Sequence, residues 1–150
     1  MIRQFQTDDA LSCCGLIHAC LKGDSSLPSS LREKLCNLES PQAVKECARL
    51  FYLSVYESGN RILGIAGLDM NEIRLLYVSP DHQRQGIGRA LLEHLMSMVP
   101  GALFPDTFVY ASVPAVGFYK ACGFIEKGSC SFDVGGEALH TVFMARPSQP

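Results

Sequence analysis

The chain lacks the features that mark several classes of protein. Its 150 residues contain no run of about 18 apolar residues, so no membrane-spanning helix is predicted, and residues 1–9 hold no apolar signal segment. Lys and Arg number 13 against 15 Asp and Glu, and this net charge of −2 gives no electrostatic reason to expect binding to nucleic acid or to an anionic membrane. We therefore expect a soluble, cytoplasmic protein.

The cysteines form no recognisable framework either. Their number is odd and no two are spaced as Cys-x-x-Cys, so the sequence predicts neither a disulfide scaffold nor a zinc site. The histidines at 18, 82 and 94 are too far apart to form a ligand pair, and no metal ion is expected. Free thiols in a reducing compartment are expected at all seven positions, which are Cys13, Cys14, Cys20, Cys36, Cys47, Cys122 and Cys130.

What is present is the apolar periodicity of one α/β domain over residues 1–150, because no repeat or long linker divides the chain. The expected order is βααβββαβαββ, with a mixed, mostly antiparallel central sheet flanked by helices. Helical spacing runs from Leu11 to Leu21 and ends at Gly23, and a capping box at Ser30 predicts a short helix through Leu35. An apolar stripe then runs from Val44 to Phe51, with Ser40 and Pro41 before it as a cap and first turn. Later strands are expected at Phe51–Glu57, Ile62–Leu68, Ile73–Val78, Thr107–Ser112, Phe124–Asp133 and Leu139–Arg146, and later helices at Ile87–Met98 and Pro114–Cys122.

Residues 78–92 run from a strand end through a polar turn into the clearest amphipathic helix. The first turn of a helix has unpaired N–H groups and partial positive charge, and Gly86 and Gly88 would let a phosphate approach them closely. Arg84 and Arg89 flank this turn, so the segment predicts a pyrophosphate site. The Walker motif is excluded because no lysine follows the glycines, and the dinucleotide fingerprint because Leu91 occupies the third glycine position.

Two motifs in this sequence resemble those of the GNAT superfamily of acetyl-CoA-dependent N-acetyltransferases. Gln83-x-x-Gly86-x-Gly88 is similar to motif A of that family. Residues 112–124, which read Ser-Val-Pro-Ala-Val-Gly-Phe-Tyr-Lys-Ala-Cys-Gly-Phe, are similar to its Asn-x-x-Ala-x-x-Phe/Leu-Tyr-x-x-x-Gly-Phe segment. Because the order of elements also agrees, the resemblance covers essentially the whole chain and implies acetyl-CoA as cosubstrate.

The resemblance implies a set of cofactor contacts. Backbone amides of the motif A segment would hold the pyrophosphate, while the strand end would pair with the pantetheine arm and direct the Val78 amide at the thioester oxygen. Serine stands at position 112 where the family has asparagine, which places one side-chain contact in doubt. The expected cofactor-binding residues are Leu76, Tyr77, Val78, Gln83, Arg84, Gln85, Gly86, Ile87, Gly88, Arg89, Ser112, Ala115 and Tyr119.

The resemblance also implies catalytic roles for two residues. Tyr119 matches the tyrosine that protonates the departing thiolate, and Glu72, eleven positions before Gln83, matches a glutamate that serves some members as a base through water. Strand alternation is expected to place Glu72 on one face with Arg74 and Leu76. Tyr77 and, on the last strand, His140 are both candidates to line the acceptor pocket.

We expect direct attack of a primary amine on bound acetyl-CoA, without an acyl-enzyme. Cys122 is disfavoured as a nucleophile because no histidine is adjacent in sequence. The alternative is a catalytically weak acyl-CoA-binding sensor or interaction domain. The family builds its acceptor pocket from segments that correspond to residues 11–38 and 132–140, which show no concentration of charge here, so small-molecule, peptide and protein amines stay open as acceptors. Homodimerisation, frequent in the family, stays open too.

Overall fold

The computed structural model describes residues 1–149, and its centre is a seven-stranded sheet in the order β1-β2-β3-β4-β5-β7-β6. Neighbouring strands are antiparallel except β4 and β5, which are parallel, so the expected mixed, mostly antiparallel sheet flanked by helices is confirmed. None of the described helices has the length and apolar character that crossing a membrane requires. The elements are β1 (Ile2–Gln4), α1 (Ala10–Lys22), α2 (Ser29–Leu38), α3 (Pro41–Leu50), β2 (Tyr52–Ser58), β3 (Arg61–Asp69), β4 (Glu72–Val78), α4 (Ile87–Met98), β5 (Asp106–Ser112), α5 (Val116–Ala121), β6 (Ile125–Val134) and β7 (Glu137–Pro147).

Three helices lie between β1 and β2 in the described chain, one more than the order expected from the sequence. The helical stretch divides at Glu39, whose backbone is extended, so α2 and α3 are separate. Ser40 then caps α3 by accepting the Ala43 N–H at 3.0 Å, and Pro41 occupies the first helical position. The sequence indicated the Ser40 cap and Pro41. The extended backbone at Glu39, just before them, divides the helical stretch and gives the additional helix.

The sheet has a hydrophobic core on each face. On one face α4 and α5 pack against the strands, and Leu91, Leu95 and Met144 are fully buried there. On the other face α1 and α3 cover the middle of the sheet, with Ile17 and Ile65 at the centre of the contact. Burial of each such side chain contributes about 2 kcal/mol, so the two layers hold the sheet rigid between them.

A bulge interrupts β4. Gly67 of β3 pairs with Leu75, but the next residue, Leu68, pairs with Ile73, which leaves Arg74 without a partner on β3. An extra residue of this kind bends the strand and increases its twist. The bulge therefore changes the direction of the second half of β4 relative to the first.

The bulge also changes which side chains share a face. Ile73, Leu76 and Val78 all pack towards the α4–α5 core, whereas Tyr77 packs towards α1–α3. Glu72, next to Ile73, therefore lies on the α1–α3 face. The expectation that Glu72 and Leu76 share a face is wrong, because strict alternation does not continue through a bulge.

Strands β4 and β5 pair over a short distance and then separate. Their register contains only the pairs Glu72–Phe108 and Ile73–Val109 within residues 1–149. From residue 74 to residue 78, the edge of β4 that faces β5 has no strand partner. We call the space beside this edge the strand gap.

The first strand is held by a partly buried ion pair. The Arg3 guanidinium donates two hydrogen bonds to Asp9, at 2.8 and 2.9 Å, and its Nε donates to Glu57 at 2.6 Å. Asp9 is only 8% exposed, and the hydrogen bonds from Arg3 lower the pKa of its carboxyl group. Because the lowered pKa belongs to the folded state, the stabilisation is present above the ordinary aspartate pKa and is lost as pH falls through the folded value.

We expect Asp9→Asn to lower the free energy of unfolding at pH 7 by about 2 kcal/mol, because it leaves the Arg3 charge without its main partner. The difference from wild type should begin to shrink as the pH falls below about 4, the ordinary aspartate pKa, and should vanish once the pH is below the lowered pKa of Asp9 in the folded protein. Urea titrations across this pH range measure both effects. Asp8→Asn, at an exposed neighbouring position, is the matched control and should change stability by less than about 0.5 kcal/mol. Equal effects of the two variants would contradict this account.

Candidate functional site

The loop after β4 presents its backbone to solvent. A single 3₁₀ turn, Pro80–His82, leads to Arg84 and Gly86, whose φ angles are +63° and +85°. A non-glycine residue in the left-handed region costs about 1 kcal/mol, so the conformation of Arg84 is held by its surroundings. No atom lies within 4 Å of the point where a Cβ on Gly86 would stand, which leaves this side of the loop open.

The N-terminal turn of α4 has free N–H donors. The first helical bond runs from the Ala90 N–H to the Gly86 carbonyl at 3.0 Å, and no side chain caps the helix. The N–H groups of residues 87–89 therefore have no intrahelical acceptor. A Cβ on Gly88 would lie 3.3 Å from the Phe118 ring and 3.6 Å from Val78, so glycine is what allows this close packing. An open, uncapped helix N-terminus beside a glycine turn fits an anion such as a diphosphate.

The side chains of the loop have different partners. Gln83 donates to the Val78 carbonyl at 3.2 Å, and Arg89 donates to the Ala121 carbonyl at the end of α5 at 3.1 Å. Within residues 1–149, Arg84 makes no hydrogen bond or ion pair, and both it and Gln85 are exposed. Of the two arginines predicted to add charge here, Arg84 is therefore the one available to a ligand.

Backbone groups of β4 point into the strand gap. The Ser79 N–H donates to the Leu63 carbonyl at 2.8 Å, so the neighbouring Val78 is at a position that makes no ladder bonds to β3. By alternation Tyr77 bonds to β3, whereas the N–H and C=O groups of Leu76 and Val78 point away from it. The strand gap is thus lined by main-chain donors and acceptors, the groups that the amide-bearing arm of a cofactor requires.

Sequence reasoning missed Cys20. Its thiol, on α1, donates to the Val78 carbonyl at 3.1 Å, the same oxygen that accepts from Gln83. Burial raises the pKa of the Cys20 thiol to about 11, so it remains a protonated donor at neutral pH. Helical spacing along α1 predicts which side chains are buried but carries no signal of a contact 58 residues away. Cys122, the thiol considered from the sequence, is buried in the α4–α5 core instead.

Tyr119 is enclosed in the α4–α5 core and is only 4% exposed. Its ring packs edge-on against Phe118 and Phe124, with centroid distances of 5.1 and 5.3 Å. Burial raises the pKa of its hydroxyl above the ordinary tyrosine value, and the neighbouring Tyr77 adds to this effect. The hydroxyl is therefore protonated at neutral pH, which is the state that a proton donor requires.

Glu72 lies at the other end of β4 from Val78. The two are six positions apart, which corresponds to roughly 20 Å along a strand. Burial raises the pKa of the Glu72 carboxyl, while Arg74, whose Nη1 lies 3.8 Å away, lowers it and Asp69 raises it. A carboxyl with a raised pKa is better suited to accept a proton near neutral pH, but at this distance it exchanges protons with the Val78 region only through water.

The remaining predicted residues are distributed over both faces. Tyr77 packs on the α1–α3 side, whereas alternation along β7 places His140 on the opposite face, where it hydrogen-bonds Ser131 at 2.9 Å. The expectation that the two share one pocket therefore does not fit this register. Ser112 is exposed at the end of β5 and its side chain caps no helix, and Ala115 is half-buried beside the α4–α5 core.

The structure joins α2 to the β6–β7 hairpin, the two regions from which an acceptor pocket was expected. Ser30 donates to Glu137 at 2.5 Å, and Lys34 approaches the other carboxylate oxygen of Glu137 at 3.0 Å. Lys34 also donates to the Gly135 carbonyl at 2.9 Å. A separate concavity of about 420 Å³ lies between α1 and α2, and no residue of the loop after β4 lines it. Among the described residues there is no group of three or more metal-ligating side chains.

Comparison with known proteins agrees with this arrangement. "Peptidyl-lysine N-acetyltransferase YjaB" of Salmonella typhimurium is 38% identical over 58 residues, which is 39% of this chain and 39% of that protein. The match therefore spans well under half of the relative's length.

Solved structures match over almost the whole chain. A GCN5-related N-acetyltransferase from Rhodopseudomonas palustris has a TM-score of 0.91 at 18% identity, covering 98% of this chain and 94% of that one. PaiA N-acetyltransferase from Thermoplasma acidophilum, solved in complex with coenzyme A, has a TM-score of 0.79 at 15% identity and covers 98% of each chain. At these identities the two structures show a shared fold.

The family itself is shown by sequence. The family model described as "Acetyltransferase (GNAT) domain" matches residues 31–140, which is more than half of the chain. The resemblance noted in the two motifs is thereby confirmed at the level of the family. The chain belongs to the GNAT acetyltransferase family.

Proposed function

We propose that this protein is an N-acetyltransferase that transfers the acetyl group of acetyl-CoA to a primary amine by direct attack. The observation that carries the proposal is a set of unpaired backbone groups, which are those of Leu76, the Val78 N–H, and the N–H groups of residues 87–89. It combines the strand gap with the open N-terminus of α4. We propose further that the domain extends over residues 1–150 and acts in the cytoplasm, where seven unpaired thiols would stay reduced.

The residues present fit acetyl-CoA. The N–H groups of residues 87–89 and the Arg84 guanidinium would hold the diphosphate, and Gly86 leaves the approach open. Main-chain groups of Leu76 and Val78 would pair with the pantetheine arm. When bound, acetyl-CoA supplies the acetyl group as a thioester.

Two groups of this chain would stabilise the transfer. The Val78 N–H would donate to the developing oxyanion, a contact worth about 3 kcal/mol when donors are fixed in advance. Cys20 and Gln83 both bond the carbonyl of the same residue and so restrain its orientation. The Tyr119 hydroxyl would donate its proton to the departing sulfur.

The acceptor amine must lose a proton, and Glu72 is the proposed general base. Its raised pKa favours that role, and its distance from Val78 requires intervening water. The match to a protein named as a peptidyl-lysine N-acetyltransferase supports the ε-amine of a peptide lysine as acceptor. An uncharged amine is the reactive form, so rates should rise with pH over the range in which lysine titrates.

The glycine turn provides a matched test of cofactor binding. Gly86 and Gly59 both have positive φ and open space at Cβ, so Gly86→Ala and Gly59→Ala should each cost about 1 kcal/mol of stability. Gly59 lies in the β2–β3 turn, so only Gly86→Ala should weaken coenzyme A binding, by about tenfold or more, since its new methyl group would stand in the approach to the amides. Calorimetric titration measures both. Equal affinities of the two variants would place the diphosphate elsewhere.

The hydroxyl of Tyr119 provides a test of turnover. We expect Tyr119→Phe to lower kcat about 100-fold with little change in the affinity for coenzyme A, because it removes a proton donor and no packing. Tyr52→Phe, which deletes a hydroxyl bonded to His94 at 2.9 Å, is the control and should keep its rate. The readout is mass detection of an acetylated lysine peptide.

Full turnover by Tyr119→Phe would remove this hydroxyl from the mechanism. If wild-type protein binds coenzyme A at micromolar concentration but acetylates no peptide, polyamine or small amine, the protein is a binding domain and the proposed function is wrong.

A further inference from the structure

The outer edge of β6 has no strand partner among residues 1–149. This strand is the last in the sheet and pairs only with β7, and eight of its ten residues are exposed. It contains no proline, which is one of the residues that proteins use to keep an edge strand from pairing. An open row of backbone donors and acceptors of this length is a surface to which another strand can add.

The direction of its backbone groups is set by the pairing with β7. The Thr141 hydroxyl donates to the Cys130 carbonyl at 2.8 Å, so that carbonyl is directed towards β7, where Thr141 is the residue paired with Cys130. In an antiparallel sheet this direction alternates from one residue to the next. The N–H and C=O groups of Ser129, Ser131 and Asp133 therefore point outward, where an incoming strand can bond to them.

The sequence of this edge is complementary to itself. Residues 127–133 read Lys-Gly-Ser-Cys-Ser-Phe-Asp, with a cation at one end, an anion at the other and Cys130 at the centre. An antiparallel second copy centred on Cys130 places Lys127 of each copy opposite Asp133 of the other. Within residues 1–149 neither of these two exposed side chains makes an ion pair, so both charges are available to a second copy.

Other arrangements of two copies lack this match. Residues that point outward must oppose each other, so the two-fold axis passes through a residue and not between two. An axis through Ser129 or Ser131 would place Lys127 opposite Ser131 or Gly135, neither of which is charged. A parallel copy would place Lys127 beside Lys127 and Asp133 beside Asp133, and like charges repel. Charge therefore selects the antiparallel register about Cys130.

The centre of this register allows close approach. Because the Cys130 backbone bonds to β7, two opposed copies of Cys130 form a non-hydrogen-bonded pair with Cα atoms about 4.5 Å apart, a separation that a disulfide can span. Phe132 lies opposite Gly128, where a Cβ would have no atom within 4 Å. The Phe132 ring is 41% exposed and packs 5.2 Å from Tyr110, which packs 5.3 Å from Phe143. The second strand can therefore cover this ring without displacing it.

We propose that the protein forms a two-fold symmetric homodimer by antiparallel pairing of residues 127–133, which joins two sheets into one. The interface is isologous, since every pair of opposed residues outside the axis occurs twice. Backbone hydrogen bonds supply affinity, and the two Lys127–Asp133 pairs fix the register and the direction. The inference is independent of acetyl transfer, because no residue proposed to bind acetyl-CoA or to move a proton lies in this segment.

Charge reversal tests the register, with sedimentation velocity measuring the dimer dissociation constant. We expect a wild-type dimer at micromolar concentration, weakened about tenfold or more by Lys127→Asp and by Asp133→Lys, because each change puts like charges together at both ends of the interface. The double variant Lys127→Asp/Asp133→Lys restores opposite charges and should return to within about twofold of wild type. Arg61→Asp, an equal change of net charge at an exposed position of β3, is the control and should leave the constant unchanged.

Oxidation of Cys130 tests the position of the axis. Diamide takes up the two electrons and two protons that are released when two thiols form an S–S bond. We expect it to convert wild type to a covalent dimer on a non-reducing gel. Cys130→Ser should give no covalent dimer, whereas Cys36→Ser, which removes another partly exposed thiol, should keep it.

Wild-type protein that stays monomeric at about 100 μM overturns the inference. A dimer whose dissociation constant ignores both charge reversals, or that the double variant does not restore, overturns it too. A dimer that diamide does not link through Cys130 places the axis elsewhere and overturns the register. Failure of acetyl transfer by a wild-type dimer with the expected responses would contradict the proposed function and leave this inference supported.

Discussion

The candidate site depends on how few residues join β4 to β5. Two residue pairs hold the strands together, and beyond Ile73 and Val109 the two strands no longer pair with each other, although β4 stays paired with β3 and β5 with β7. A backbone N–H or C=O that is buried without a partner costs about 1–3 kcal/mol. The N–H and C=O groups of Leu76 and the N–H of Val78 therefore stay favourable only next to water or a ligand, whereas the Val78 carbonyl already accepts from Cys20 and Gln83. The edge of β4 that lines the strand gap can therefore pair with a linear molecule that has amide groups of its own.

Three local features connect the strand gap to the open N-terminus of α4, so that the two form one longer binding path. The bulge at Arg74 turns the end of β4, so that Val78 packs beside Gly88 while its free edge faces the strand gap. The left-handed backbone at Gly86 then directs the chain into α4 with its first amides uncovered. The Cys20 thiol ties α1 to the Val78 carbonyl, which couples the helical layer on one face to the strand end. Rigid layers on both sides keep this path in place before any ligand arrives.

Much of the fold could be predicted from the sequence because its signals are local. Apolar spacing placed the meander and α4, and the glycines at 86 and 88 marked the loop that the structure leaves open. The bulge at Arg74 could not be predicted, since neither glycine nor proline marks it on β4 itself and it arises from register with β3. The same holds for the Cys20 contact and for the ring pair Tyr110 and Phe143, which depend on elements far apart in sequence. Family membership is established, whereas the roles of individual residues stay predictions.

The most direct test of the account is a crystal structure of the protein with coenzyme A bound. The account predicts diphosphate oxygens within about 3 Å of the N–H groups of residues 87–89, and a pantetheine arm paired with Leu76 and Val78 in the strand gap. A diphosphate bound in the concavity between α1 and α2, with the N-terminus of α4 left to solvent, would contradict it.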